Sequence, residues 1–118
     1  MSNIGKIIEK HTNGKIFYSG RVSTLQLNLK FWFEENNIDV EGSSAPHFLI
    51  MTETSDGLES QVGAVWKKKL EKIGKDPLEF FSLTFDDPSF PHSLNVAAFK
   101  NSKIGEWNIS WRRRQVEM

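Results

Sequence analysis

The sequence predicts an all-β domain: an antiparallel barrel or sandwich of about six or seven short strands, with at most one short helix. Three observations predict it. Apolar and polar residues alternate at period two in several segments, a spacing that buries one face of a strand and no face of a helix. Turn residues punctuate these segments at short intervals, as in small barrels and sandwiches. Nowhere do strands alternate with long helical patterns, which argues against a parallel α/β sheet.

Ile4 to Lys10 opens the chain as an apolar-rich strand with Ile4, Ile7 and Ile8. Thr12-Asn13-Gly14 reads as a hairpin, because Asn and Gly tolerate positive φ, and Lys15 to Val22 is the return strand. Gly20 within it marks a bulge or a close approach of another backbone. The clearest strand is Leu25 to Phe33. It sets Leu25, Leu27, Leu29, Phe31 and Phe33 on one face and Gln26, Asn28 and Lys30 on the other. Trp32 breaks its polar face and needs a cover or a role.

Glu34 to Pro46 is polar and turn-rich, with Ile38 and Val40 as a brief edge strand. His47 to Thr52 sets Phe48 and Ile50 against Leu49 and Met51. After the turn at Ser55-Asp56-Gly57, the strand Glu59 to Trp66 places Val62, Ala64 and Trp66 on one face. Lys67 to Asp76 is the one plausible helical turn, limited by Gly74 and Pro77. Glu79 to Phe85 alternates Phe81, Leu83 and Phe85 with Phe80, Ser82 and Thr84. The loop Asp86-Asp87-Pro88-Ser89-Phe90-Pro91 is held extended by its two prolines. Leu94 to Phe99 is a strand, Asn101 to Gly105 a turn, and Trp107, Ile109 and Trp111 alternate along the last strand. The expected core is Leu25, Leu27, Leu29, Phe31, Phe33, Phe81, Leu83, Phe85, Ile109 and one or both of Trp107 and Trp111.

At 118 residues the chain fits one domain, expected over 4–112 with 113–118 as a tail. The 15 basic and 15 acidic residues cancel, and 14 aromatic residues argue against disorder. Zero cysteine removes disulfides, thiol nucleophiles and thiolate metal sites. No basic segment followed by an apolar run opens the chain, and no stretch is long and apolar enough for a membrane helix. The expectation is a cytoplasmic protein with no membrane partner.

Four strings carry a resemblance: Gly20-Arg21-Val22-Ser23-Thr24-Leu25-Gln26-Leu27-Asn28, Gly63-Ala64-Val65-Trp66-Lys67-Lys68, Leu83 through Pro91, and Trp107-Asn108-Ile109-Ser110-Trp111-Arg112. In order and spacing the chain resembles a bacterial family catalogued as domain of unknown function 736. Asp86 to Pro91 is the most specific element. The resemblance implies a small protein of the kind often encoded on plasmids and integrated elements near conjugation genes. It implies no catalytic residue, because the family has no agreed activity. The acidic segment Glu34 to Glu41 and the three-arginine end depart from the family pattern.

Enzyme signatures are missing. Asp86 and Asp87 are adjacent, and an aspartate before proline bonds its own turn more readily than it serves as an acid or base. His11, His47 and His92 stand apart, so neither a metal site nor a cofactor is expected. No phosphate loop, dinucleotide fingerprint or nucleophile elbow occurs. Two basic–aromatic clusters remain: Trp66-Lys67-Lys68-Lys69 and Trp111-Arg112-Arg113-Arg114. Cations attract phosphates and flat rings stack on bases, the chemistry that holds single strands. Alternating tryptophans also build cores, and lysine runs also coat solvated faces.

Charge is segregated as well. Glu34, Glu35, Asp39, Glu41, Glu53, Asp56 and Glu59 form an acidic stretch, whereas Lys67, Lys68, Lys69, Lys72 and Lys75 cluster just beyond it. Two function classes therefore stand. The preferred one is a non-catalytic, single-strand-binding accessory of a mobile element. The other is a protein–protein module or homodimer. It would use a sheet edge or an apolar patch near Trp32 and Phe90, or the acidic segment against a basic partner.

Overall fold

The computed structural model describes residues 2–25, 27–36, 44–72 and 74–111. Among the described residues there are eight strands: β1 (Ser2–Thr12), β2 (Lys15–Ser23), β3 (Asn28–Glu35), β4 (Phe48–Glu53), β5 (Glu59–Lys72), β6 (Lys75–Phe85), β7 (Leu94–Lys100) and β8 (Glu106–Trp111). Each strand pairs antiparallel with the next, and β8 returns to β1, so the sheet closes as an up-and-down barrel. The expected six or seven strands in a barrel or sandwich become eight in a closed barrel. The β1–β8 pairing, Ile7 opposite Trp107 and Gly5 opposite Ile109, joins the two ends of the chain, and no local pattern reports it.

Closure puts alternate side chains inside. Ile7, Val22, Ile50, Val65, Leu83, Phe85 and Ile109 are fully buried, with Phe31, Phe33, Phe48, Phe81 and Trp107 nearly so. Leu27 and Leu29 pack against this core only partly. Leu25, expected inside, is fully exposed. It sits in the β2–β3 turn, which is closed by the Thr24 N–H on the Leu27 carbonyl at 2.7 Å and the Leu27 N–H on Thr24 Oγ1 at 3.1 Å. The alternation ran on past the strand into its turn.

A bulge overturns another expectation. Ile50 pairs with Gly63 but Met51 with Gln61, leaving Val62 as the extra residue on β5. Val62 and Val65 are therefore both buried, while Ala64 and Trp66 face outward. The Val62 carbonyl accepts the Asp86 N–H at 2.6 Å, which pins the bulge to the end of β6. Gly20 is a close approach: a Cβ there would stand 2.4 Å from the Lys6 carbonyl oxygen and 2.8 Å from Phe31 Cζ.

The expected helical turn at Lys67–Asp76 is instead the tip of the β5–β6 hairpin, paired through Lys72 and Lys75. Gly74, at φ 75°, makes the turn there. The register slips between Leu70 and Lys72, where β6 carries one extra residue and accommodates Pro77, which cannot donate to a ladder. Among the described residues no helix is long and apolar enough to cross a membrane. Ile38, Val40 and much of the acidic segment, Gln26, and the tail from Arg112 on lie outside the described residues.

One end of the barrel is plugged. The Asp86–Pro91 loop joins β6 to β7 at this end, and Phe90 packs against the core, as do Ile4, Leu27, Leu94 and Trp111. Asp87 shapes the loop by accepting the Ser89 N–H at 2.9 Å and the Ser89 hydroxyl. Phe90→Ala should lower stability by about 2 kcal/mol, less than for a fully buried ring because Phe90 is half-buried. A drop in the urea midpoint checks this.

Candidate functional site

The other end is open. Two hairpins overrun the barrel there. β4 stops pairing at Phe48 opposite Val65, so β5 continues alone with β6, roughly 20 Å beyond the rim. β3 stops pairing with β2 at Trp32 opposite Ser19, and β1–β2 continues roughly 13 Å to Thr12 and Lys15. In a sequential eight-stranded barrel these hairpins stand on opposite sides. They flank a mouth of about 380 Å³ lined from both arms and the floor.

The register decides which side chains enter. On β5 the bulge places Lys67 and Lys69 in phase with buried Val65. On β7 Lys100 follows buried Val96 and Ala98 at period two. On β1 and β2, Glu9 pairs with Tyr18 and both face in, in phase with Ile7. On β6 Glu79 lies above buried Phe81. Lys68, Ile16 and Phe80 border the same space.

The floor is a cluster of rings. Phe81 stacks on Trp107 with centroids 4.3 Å apart and meets Phe48 edge-on at 6.3 Å. Tyr18 sits 5.3 Å from Phe81 and 5.6 Å from Phe48. Burial, and then the Glu9 carboxylate, pushes the Tyr18 phenol up, so it remains a hydroxyl donor at neutral pH. The Trp107 indole N–H is buried and finds no acceptor among the described residues.

The cations rest on these rings. Lys67 Nζ lies 5.2 Å from the Phe48 centroid, and Lys100 Nζ lies 5.3 Å from that of Trp107. The mouth carboxylates have other partners. Glu9 bonds His11 Nε2 at 2.8 Å, and Glu79 stands 3.9 Å from Lys69. Among the described residues neither Lys67 nor Lys100 has a carboxylate within ion-pair range. The Lys67 backbone N–H donates to His47 Nδ1 at 3.0 Å, which caps β5 where β4 leaves it. Lysines above that point also discourage another strand from adding to the free β5 edge.

The described residues of the two sequence clusters do not meet. Lys67, Lys68 and Lys69 gather at the mouth, but Trp66 faces outward, half-buried, with its indole N–H on the Ser44 carbonyl at 3.0 Å. Trp111 lies at the plugged end, packed against the core, and Arg112, Arg113 and Arg114 lie outside the described residues. Asp86, Asp87, Pro88, Ser89, Phe90 and Pro91 belong to the plug, away from the mouth. Sequence reasoning missed Glu9, Tyr18, Glu79, Phe81, Lys100 and Trp107. The signal for Lys100 was its place in phase with Val96 and Ala98. Among the described residues no group of three His, Cys, Asp or Glu side chains could hold a metal ion.

Two carboxyls are held below their ordinary range. Asp87 is lowered by the Ser89 hydroxyl and N–H, and Glu106 by the Asn101 amide and then by Lys6. Each contributes stability above its unfolded pKa and loses it as pH falls through the lower folded value. Thermal unfolding should stay level from neutral pH to about 5 and drop below about 4. Glu106→Gln should flatten part of that drop, since the Asn101 and Lys6 contacts at 3.0 and 3.2 Å lose their charge.

Fold and mouth together define a class: a small up-and-down barrel with a packed core, one plugged end, and one open end lined by lysines over rings. The chain belongs to the family described as "Protein of unknown function (DUF736)", whose model matches residues 3–114. No curated protein and no solved structure matches it.

Proposed function

We propose that the chain is a non-catalytic binding module that holds single-stranded nucleic acid across the barrel mouth, as an accessory of the mobile elements its family resemblance implies. The observation that carries this reading is the pair Lys67 and Lys100. Their ammonium groups overhang one ring cluster with no carboxylate to neutralise them among the described residues. Four lysines and two carboxylates line the space, so a chain of zero net charge keeps one cationic end. An eight-stranded barrel is just wide enough for side chains to fill, so the gap between its arms suits a single strand and excludes a duplex. Half-buried Tyr18 supplies ring surface beside the lysines, and Phe80, stacked on Phe99 at 5.2 Å, borders the space next to Lys68.

Titration of a labelled single-stranded oligonucleotide, followed by fluorescence anisotropy, tests this. Binding should weaken with salt at a log–log slope of about −2 to −3, as expected for three or four phosphate contacts. No binding at low salt overturns the reading.

One observation favours the second reading, a protein-interaction module or homodimer. Trp32, Leu49, Met51, Ala64 and Trp66 face outward side by side across β3, β4 and β5. Its other supports are weaker, since each strand pairs with two neighbours in the closed barrel and Phe90 packs against the core. A mass that rises with concentration in light scattering would favour it.

A further inference from the structure

We infer that the mouth is a terminal-phosphate pocket, in which Lys67 and Lys100 seat the phosphate monoester at the end of a strand. This rests on the strand-binding reading and narrows it. The pocket is blind. Phe81, Trp107 and Tyr18 form its floor, with Phe48 packed against Phe81 and Tyr18, and below them lie the fully buried Leu83, Phe85, Val65 and Ile109. A strand cannot pass through, and an internal phosphodiester, substituted on both sides, has to lie across the rim. A terminal monoester has one substituent and can enter end-on.

Charge points the same way. A phosphate monoester carries about −1.5 to −2 at neutral pH, where a diester carries about −1. Lys67 and Lys100 are two ammonium groups held over Phe48 and Trp107, the two rings that flank Phe81 in the cluster, each without a carboxylate partner among the described residues. Of the other charged groups that line the pocket, Lys69 stands 3.9 Å from Glu79 and Glu9 bonds His11, while Lys68 borders the space from the outward phase of β5. Tyr18, which lines the same space, keeps its phenol protonated and adds a hydroxyl donor to the lysines. Donors predominate in this space, and they match an acceptor-only, doubly charged group.

Anisotropy titrations with one oligonucleotide sequence in four forms test the inference: 5′-phosphate, 3′-phosphate, hydroxyl at both ends, and a closed circle of the same length. One phosphorylated form should bind about tenfold more tightly than the hydroxyl and circular forms, the effect of one added charge near two ammonium groups. Which form wins tells whether the 5′ or the 3′ end is read. Lys100→Gln and Lys67→Gln should each erase that preference. Lys30→Gln, on the outer face of β3, should keep it. Equal affinity for all four forms overturns end recognition and leaves strand binding standing. No binding by any form at low salt overturns both.

Discussion

Gly63→Ala should cost the barrel about 3 kcal/mol or more, read as a large drop in the urea midpoint. A Cβ at Gly63 would stand 2.1 Å from the Thr84 carbonyl oxygen and 3.1 Å from Ile50 Cδ1. That oxygen is backbone in the neighbouring strand, so no rotamer change relieves the overlap. The added methyl has to push β5 off β6. The same residue follows the bulge at Val62, which sets the phase of Val65, Lys67 and Lys69. The substitution should therefore blunt strand binding even under conditions where the variant stays folded. An unchanged midpoint would mean that β5 is not bulged at this point, and the inward placement of the lysines would fall with it.

Reversing both mouth cations, Lys67→Glu with Lys100→Glu, should weaken single-strand binding by about a hundredfold at low salt. The variant turns a surplus of two positive charges into a surplus of two negative ones among the residues that line the mouth. It should also flatten the salt dependence, because fewer counterions are released on binding. The fold should survive. The substitutions remove two cation–ring contacts, each worth about 0.5–1 kcal/mol at an exposed position. Lys30→Glu on the outer face serves as the control and should change affinity less than about threefold. Equal losses from both variants would show a general charge effect and no site.

The two results separate what was legible in the sequence from what was not. The all-β class was legible because alternation is local: Phe31 and Phe33, then Phe81, Leu83 and Phe85, occupy the buried phase they announce. The Asn13-Gly14 turn was legible because positive φ has a residue signature, and both residues adopt it. Closure was not legible, since it depends on which distant strands have matching unpaired edges. The bulge was not legible either, because Gly63 marks a close approach without saying on which side of it the phase slips. That slip sends Trp66 out and Lys67 in, so the basic–aromatic string divides between two faces of the sheet. Lys68 and Lys69 were found as a run, but Lys100, Trp107 and Tyr18 join them only across the closed barrel. Trp111 resembled Trp66 in its basic neighbours, yet the strand directions put it at the plugged end.

The most direct measurement maps the bound strand by amide and indole NMR shifts in a titration with a 5′- or 3′-phosphorylated oligonucleotide at low salt. The largest shifts should fall on Tyr18, Lys67, Lys69, Lys100 and the Trp107 indole N–H, with Trp32 and Phe90 unmoved. Shifts gathered on the outer face at Trp32 and Met51, or at the plug around Phe90, with the mouth silent, would contradict it.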